Sequence, residues 1–74
     1  MIQEEVGRKI KLLRTEKNIS QEKLSLIAGL DRTYIASVES GKRNISIKNL
    51  EKIILALDTT LAVFFSNFGE NNGI

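Results

Sequence analysis

The residues with the most suggestive chemistry are Arg32, Thr33 and Ser37, followed by Arg43 and Asn44 in the loop G-K-R-N. A guanidinium can donate two hydrogen bonds to the O6 and N7 acceptors of guanine, worth roughly 1–3 kcal/mol of discrimination between bases. Arg32 is the candidate for that contact. Its plainer reading is a solvated charge at the start of a helix, but a cation is mildly disfavoured at the positive end of the helix dipole, so its placement there argues for a use. Thr33 and Ser37 lie on the same outer face, placed for a base, a thymine methyl or a phosphate, or else serving as surface polar residues. Tyr34 has an amphipathic shape that allows its ring to pack on the domain while its hydroxyl reaches a DNA phosphate. Arg43 and Asn44 suit phosphate contact, and Lys42 and Lys48 suit longer-range attraction or simple solvation.

Positioning these residues requires the stretch from Ser20 to Glu39, which reads as two short helices hinged at Gly29. Ser20 suits an N-cap, and Glu22 complements the dipole in the first turn that follows. Leu24, Ile27 and Ala28 are expected on the inner face of the first helix. Gly29 supplies a positive φ for the turn, Leu30 plugs the angle, and Asp31 caps the second helix, Arg32 to about Ser40. Its inner face is expected to hold Ile35, Val38 and Tyr34. Small residues at Ser25 and Ala28 allow the two helices to cross closely. This layout is that of a helix-turn-helix, whose second helix enters the major groove of DNA; an ordinary helical hairpin of a small bundle is the alternative.

The flanking segments complete an all-helical chain. Ile2, Val6, Ile10 and Leu13 recur at spacings of four and three, which predicts an amphipathic helix over 2–17, with Gly7 marking a close helix approach and Asn18 a left-handed stop. Beyond Gly41, Ser46 can cap a fourth helix with Ile47, Leu50, Ile53, Ile54 and Leu57 on one face. Asp58 and Thr59 break it, and Thr60 can cap a short fifth helix. The expectation is one compact five-helix domain over residues 1–68 and a frayed polar tail over 69–74. A helix so short cannot turn Leu61, Val63, Phe64, Phe65 and Phe68 all toward one small core, so some of them must be exposed or meet another molecule.

Composition bounds the function. Seventy-four residues make one small, marginally stable domain, and the chain contains no cysteine and no histidine. Disulfides and thiolate zinc sites are therefore excluded, and metal or general-base chemistry loses its commonest residue. The serines have no evident base and no glycine-rich phosphate loop is present, so an enzyme is the weakest reading and no cofactor, metal or small-molecule ligand is expected. No apolar run reaches membrane-spanning length and Glu4 and Glu5 spoil a signal peptide, which points to a cytoplasmic protein. A net charge of +2 is too small to argue for nucleic acid by itself.

With these residues in view, the stretch from Val6 to Phe65 resembles the Cro and phage-repressor type of helix-turn-helix domain, the XRE-like family, in which five helices present the second and third to DNA. Within that family, L-D-R-T-Y-I from Leu30 to Ile35 and E-S-G-K-R-N from Glu39 to Asn44 resemble the controller proteins of bacterial restriction-modification systems. The resemblance implies a homodimer on paired operator half-sites that activates and autoregulates transcription. It also implies that Gln21 bonds a phosphate beside the free amides of its helix end, and that Arg14 and Glu39 form an ion pair bracing the recognition helix. Leu57, Leu61, Val63, Phe64 and Phe65 are the expected dimer surface, with closure of the monomer core as the competing use. RNA polymerase is a further partner the resemblance suggests. Glu22 is a candidate contact by analogy, but an acidic first-turn residue is expected for helix stability alone, and that is the preferred reading. A phage-type repressor, or an antitoxin holding a protein partner, is the alternative role for the same fold.

Overall fold

The computed structural model describes residues 1–68, and the tail expected over 69–74 lies outside them. Five helices follow in order: α1 (Ile2–Glu16), α2 (Gln21–Ala28), α3 (Arg32–Glu39), α4 (Ile47–Ala56) and α5 (Leu61–Phe64). Four of them begin where a short polar side chain accepts an otherwise unpaired backbone amide. Ser20 Oγ accepts from Lys23 N at 3.0 Å, Asp31 Oδ2 from Thr33 N at 3.3 Å, Ser46 Oγ from Asn49 N at 3.1 Å and Thr60 Oγ1 from Val63 N at 3.1 Å. The stops are equally local. Asn18 and Asp58 adopt φ of 59° and 60°, and Gly29 adopts 72° with the left-handed geometry that ends α2.

Val6, Ile10, Leu24, Ile35, Val38, Leu50, Ile53, Ile54, Leu57 and Phe64 fill the core, with Ala28 at its edge. α1 packs on α3, α2 on α3 and α4, and α4 on α5. Gly7 is where α1 and α3 come closest: a Cβ placed there would lie 2.3 Å from the Val38 carbonyl oxygen and 2.9 Å from that of Glu39. A side chain at position 7 would therefore push α1 off the end of α3.

Three inner-face expectations are corrected. Ile2, Ile27 and Ile47 are exposed, Ile47 at 82%. Each sits at an end of its helix, beyond the point where the neighbouring helices of a small domain still cover it; Ser25 takes the inward position on α2 instead. The residues expected at a dimer surface differ in burial. Leu57 and Phe64 are 1% and 0% exposed within a single chain and so take the competing use of closing its own core. Phe65 and Phe68, half-buried, pack against Phe64 with ring centroids 4.9 and 5.7 Å away, sealing that end. Leu61 and Val63 remain exposed.

Candidate nucleic-acid interface

α3 presents the polar cluster outward from a buried base. Ile35 and Val38 anchor it in the core, and Glu39 is buried at its last turn. There the Glu39 carboxylate accepts from Arg14 Nε at 2.6 Å and Arg14 Nη2 at 3.0 Å, a two-pronged pair whose side chains are only 3% and 11% exposed. Arg14 Nη1 also donates to the Ile19 carbonyl at 2.8 Å, so one guanidinium ties α1, the α1–α2 turn and α3 together. The hydrogen bond to Glu39 raises the Arg14 pKa above its ordinary value; burial opposes that rise and the Glu39 charge adds to it. Among the described residues no buried side-chain nitrogen or oxygen lacks a partner, so the pair carries no unsatisfied group.

Gln21, expected at a phosphate, donates from Nε2 to Glu39 Oε1 at 3.0 Å. An amide nitrogen carries two hydrogens, so this bond holds the side chain at the start of α2 and leaves the second hydrogen for an external acceptor. Arg32 is exposed at the first position of α3. Thr33 is exposed beside it, but its hydroxyl donates to the Asp31 carboxylate, so toward a further partner that oxygen can act only as an acceptor.

Ser37 and Arg43 are brought together more closely than their separation in sequence suggests. Ser37 Oγ donates to the Tyr34 carbonyl at 2.9 Å and accepts from Arg43 Nε at 3.0 Å. The Arg43 guanidinium carbon lies 4.7 Å from the Tyr34 ring centroid, a cation–π arrangement. Arg43 therefore lies back against the Tyr34 and Ser37 side of α3, so the loop after α3 supplies a second exposed guanidinium to this helix. Asn44 is exposed in the same loop.

Asn49, on α4, is the residue that sequence reasoning missed. Its Nδ2 donates to the Tyr34 hydroxyl at 3.1 Å, across the gap between α4 and α3. The signal available in sequence was slight: a polar residue in the first turn of a helix, beside an apolar stripe. Among the described residues no cluster of three or more His, Cys, Asp or Glu side chains is placed to hold a metal ion, and no helix is long and apolar enough to cross a membrane.

Comparison with known proteins agrees with this geometry. The helix-turn-helix family model matches residues 10–64. The control protein C.MunI of Mycoplasma sp is 52% identical over 62 residues, covering 82% of this chain and 84% of that protein. The control protein C.SmaI of Serratia marcescens is 37% identical over 71 residues, covering 96% and 84%. Among solved structures, the restriction-modification controller protein C.AhdI of Aeromonas hydrophila is 41% identical over 85% of this chain and 96% of that one, with a TM-score of 0.82. The controller C.Esp1396I, solved as a tetramer on its natural 35 base-pair operator, is 41% identical over 89% and 87%, with a TM-score of 0.85. The all-helical fold, the helix-turn-helix and this similarity over most of both chains make the protein a member of the helix-turn-helix family of control proteins.

Proposed function

We propose that this chain is a sequence-specific DNA-binding transcriptional regulator that acts as a homodimer on paired operator half-sites, in the manner of a restriction-modification controller. The observation that carries the reading is that two exposed guanidinium groups flank the outward side of α3. Arg32 projects from the first turn of α3 and Arg43 lies over Tyr34 beside Ser37. Arg32, Thr33 and Ser37 are assigned to the edges of the bases, Arg32 through the two-bond contact to guanine. Gln21, Tyr34, Arg43 and Asn44 are assigned to phosphates. The named activity of C.AhdI and the operator complex of C.Esp1396I support the regulatory part of the reading.

One recognition helix reads only a few base pairs. A two-fold pair doubles the site and sets the two α3 helices about 34–36 Å apart, one turn of DNA. Leu61, Val63 and the half-buried Phe65 supply an apolar surface for pairing, with Leu57 and Phe64 supporting it from within each core. Contact with RNA polymerase belongs to the same proposal. The test is selection of bound sequences from random DNA. A two-fold symmetric motif with half-sites about 10 base pairs apart is expected; binding without sequence enrichment would reject specific readout, and enrichment of a single half-site would reject the dimer.

A further inference from the structure

We propose that Asn49 is a positioning residue for DNA readout: it fixes the Tyr34 hydroxyl as an outward donor and, through the Tyr34 ring, sets the place of Arg43. The inference rests on the DNA-binding reading above and assigns a role to a residue on α4, outside the helix-turn-helix itself.

Three observations meet at Tyr34. The Asn49 amide donates to the phenol oxygen at 3.1 Å. The Tyr34 ring lies under the Arg43 guanidinium at 4.7 Å. Ser37 closes the circuit, because its hydroxyl donates to the Tyr34 carbonyl at 2.9 Å while accepting from Arg43 Nε at 3.0 Å. Asn49 is itself held in place. It stands in the first turn of α4, where its backbone amide donates to the Ser46 cap at 3.1 Å. The side chain therefore leaves a fixed backbone toward Tyr34.

The chemistry follows from the proton inventory. A phenol has one hydrogen to give and lone pairs to receive with. Phosphate oxygens only accept, so the hydroxyl is useful to a phosphate only when its hydrogen points outward. A donor approaching from the protein side occupies a lone pair, turns the hydrogen away from itself and polarises the O–H bond. Without Asn49 the hydroxyl is free to rotate and the ring loses its tether. Arg43, seated on that ring, then loses a defined position beside Ser37.

A structural tie between α3 and α4 would account for the Asn49 bond without any effect on DNA, so the test needs a variant that keeps the helix and reverses the bond. Asn49→Asp does both. A carboxylate in the first turn of α4 complements the helix dipole, and it accepts the Tyr34 hydrogen in place of donating to its oxygen. DNA is first selected with the unaltered chain. Dissociation constants on that DNA and on a scrambled duplex are then measured for Asn49→Ala, Asn49→Asp, Tyr34→Phe and the two double variants, alongside their melting temperatures.

Asn49→Ala is expected to weaken binding to selected DNA about 2- to 12-fold, the range for one hydrogen bond. Asn49→Asp should weaken it more, with a melting temperature at or above that of the unaltered chain. In the Tyr34→Phe background the Asn49→Ala loss should disappear and the Asn49→Asp loss should shrink, because the hydroxyl through which Asn49 acts is gone. Unaltered binding by Asn49→Ala, or losses that multiply undiminished in the double variants, would overturn the proposal while leaving the DNA-binding reading intact. Failure of the unaltered chain to enrich any sequence would overturn both.

Discussion

Arg14 and Glu39, twenty-five positions apart, form a buried two-pronged ion pair with contacts of 2.6 and 3.0 Å. Its position under the last turn of the recognition helix means that α1 sets where that helix ends. Removing one partner strands the other charge in a place where water hardly reaches. Arg14→Ala is therefore expected to cost about 3–5 kcal/mol, which in a domain of this size lowers the melting temperature by at least ~10 °C. Arg14→Lys should recover only part of that, because an ammonium cannot reproduce the planar fork that meets both carboxylate oxygens. Thermal melting of the three chains checks it, and an Arg14→Ala chain that melts with the unaltered one would show the pair to be inert.

The pH dependence of that pair has a definite sign. Glu39 raises the Arg14 pKa above its ordinary value. A raised cation contributes stability that is fully present below its unfolded value and is lost only as pH climbs through the folded one. The stability difference between the unaltered chain and Arg14→Ala should therefore stay level from about pH 7 to about pH 10, well below the arginine range. Denaturant titrations across that interval test it, and a difference that collapses before pH 10 would contradict the assignment.

Gly7 predicts a conflict between two known effects. Alanine favours a helix over glycine by about 1 kcal/mol, so Gly7→Ala should stabilise α1 in isolation. In the folded chain the new Cβ would sit 2.3 Å from the Val38 carbonyl oxygen, and backbone cannot swing aside as a flexible side chain can. Overpacking of this kind costs roughly 1–3 kcal/mol or more, so the clash wins and the net effect is destabilising. Affinity for DNA should fall with it, because Val38 and Glu39 are the end of the recognition helix. A Gly7→Ala chain of unchanged stability and affinity would mean that α1 and α3 can separate freely.

Most of this was legible in the sequence wherever local chemistry decides. Ser20, Asp31, Ser46 and Thr60 announce helix starts because a side-chain oxygen must meet an amide within three residues, and Asn18 and Gly29 announce stops for equally local reasons. The Arg14–Glu39 pair was reachable only through resemblance, since no rule of spacing joins residues on separate helices. Exposure at Ile27 and Ile47 was misjudged because periodicity finds a face but not how far along it the neighbouring helices reach. Asn49 goes unseen, and Arg43 is legible as a phosphate candidate but its seat on Tyr34 and Ser37 is not, because both depend on where α4 and the α3–α4 loop lie relative to Tyr34.

The two arginines should separate affinity from specificity. Arg32, proposed to meet a base edge, is exposed at the first position of α3. Arg32→Ala should cost roughly 1–3 kcal/mol on the selected sequence and far less on scrambled DNA, flattening the preference. Arg43→Ala should weaken both, and should reduce the slope of log affinity against log salt by about one contact, since one fewer phosphate is neutralised. Binding measured over a range of salt on both duplexes distinguishes them. Because Arg43 lies against Ser37, a loss of preference in Arg43→Ala as large as in Arg32→Ala would move it from the phosphates to the bases.

The proposed pairing surface divides along burial. Leu61 and Val63 are 44% and 60% exposed, whereas Phe64, next along α5, is fully buried. Phe64→Ala should therefore act on the single chain, costing about 3–5 kcal/mol through the cavity left in a core of this size. Val63→Glu should act differently. An exposed position tolerates a charge in the monomer, but at a contact between two copies it places two carboxylates in an apolar surface, where they must be desolvated without partners. The expected outcome is a folded chain of unchanged melting temperature at low concentration that sediments as a monomer at micromolar concentration. Its affinity for a two-half-site operator should fall by more than tenfold while its weak binding to a single half-site persists. If Val63→Glu and Leu61→Glu both sediment as dimers, pairing uses another face, and the exposed residues of α5 have no part in bringing two recognition helices to successive turns of DNA.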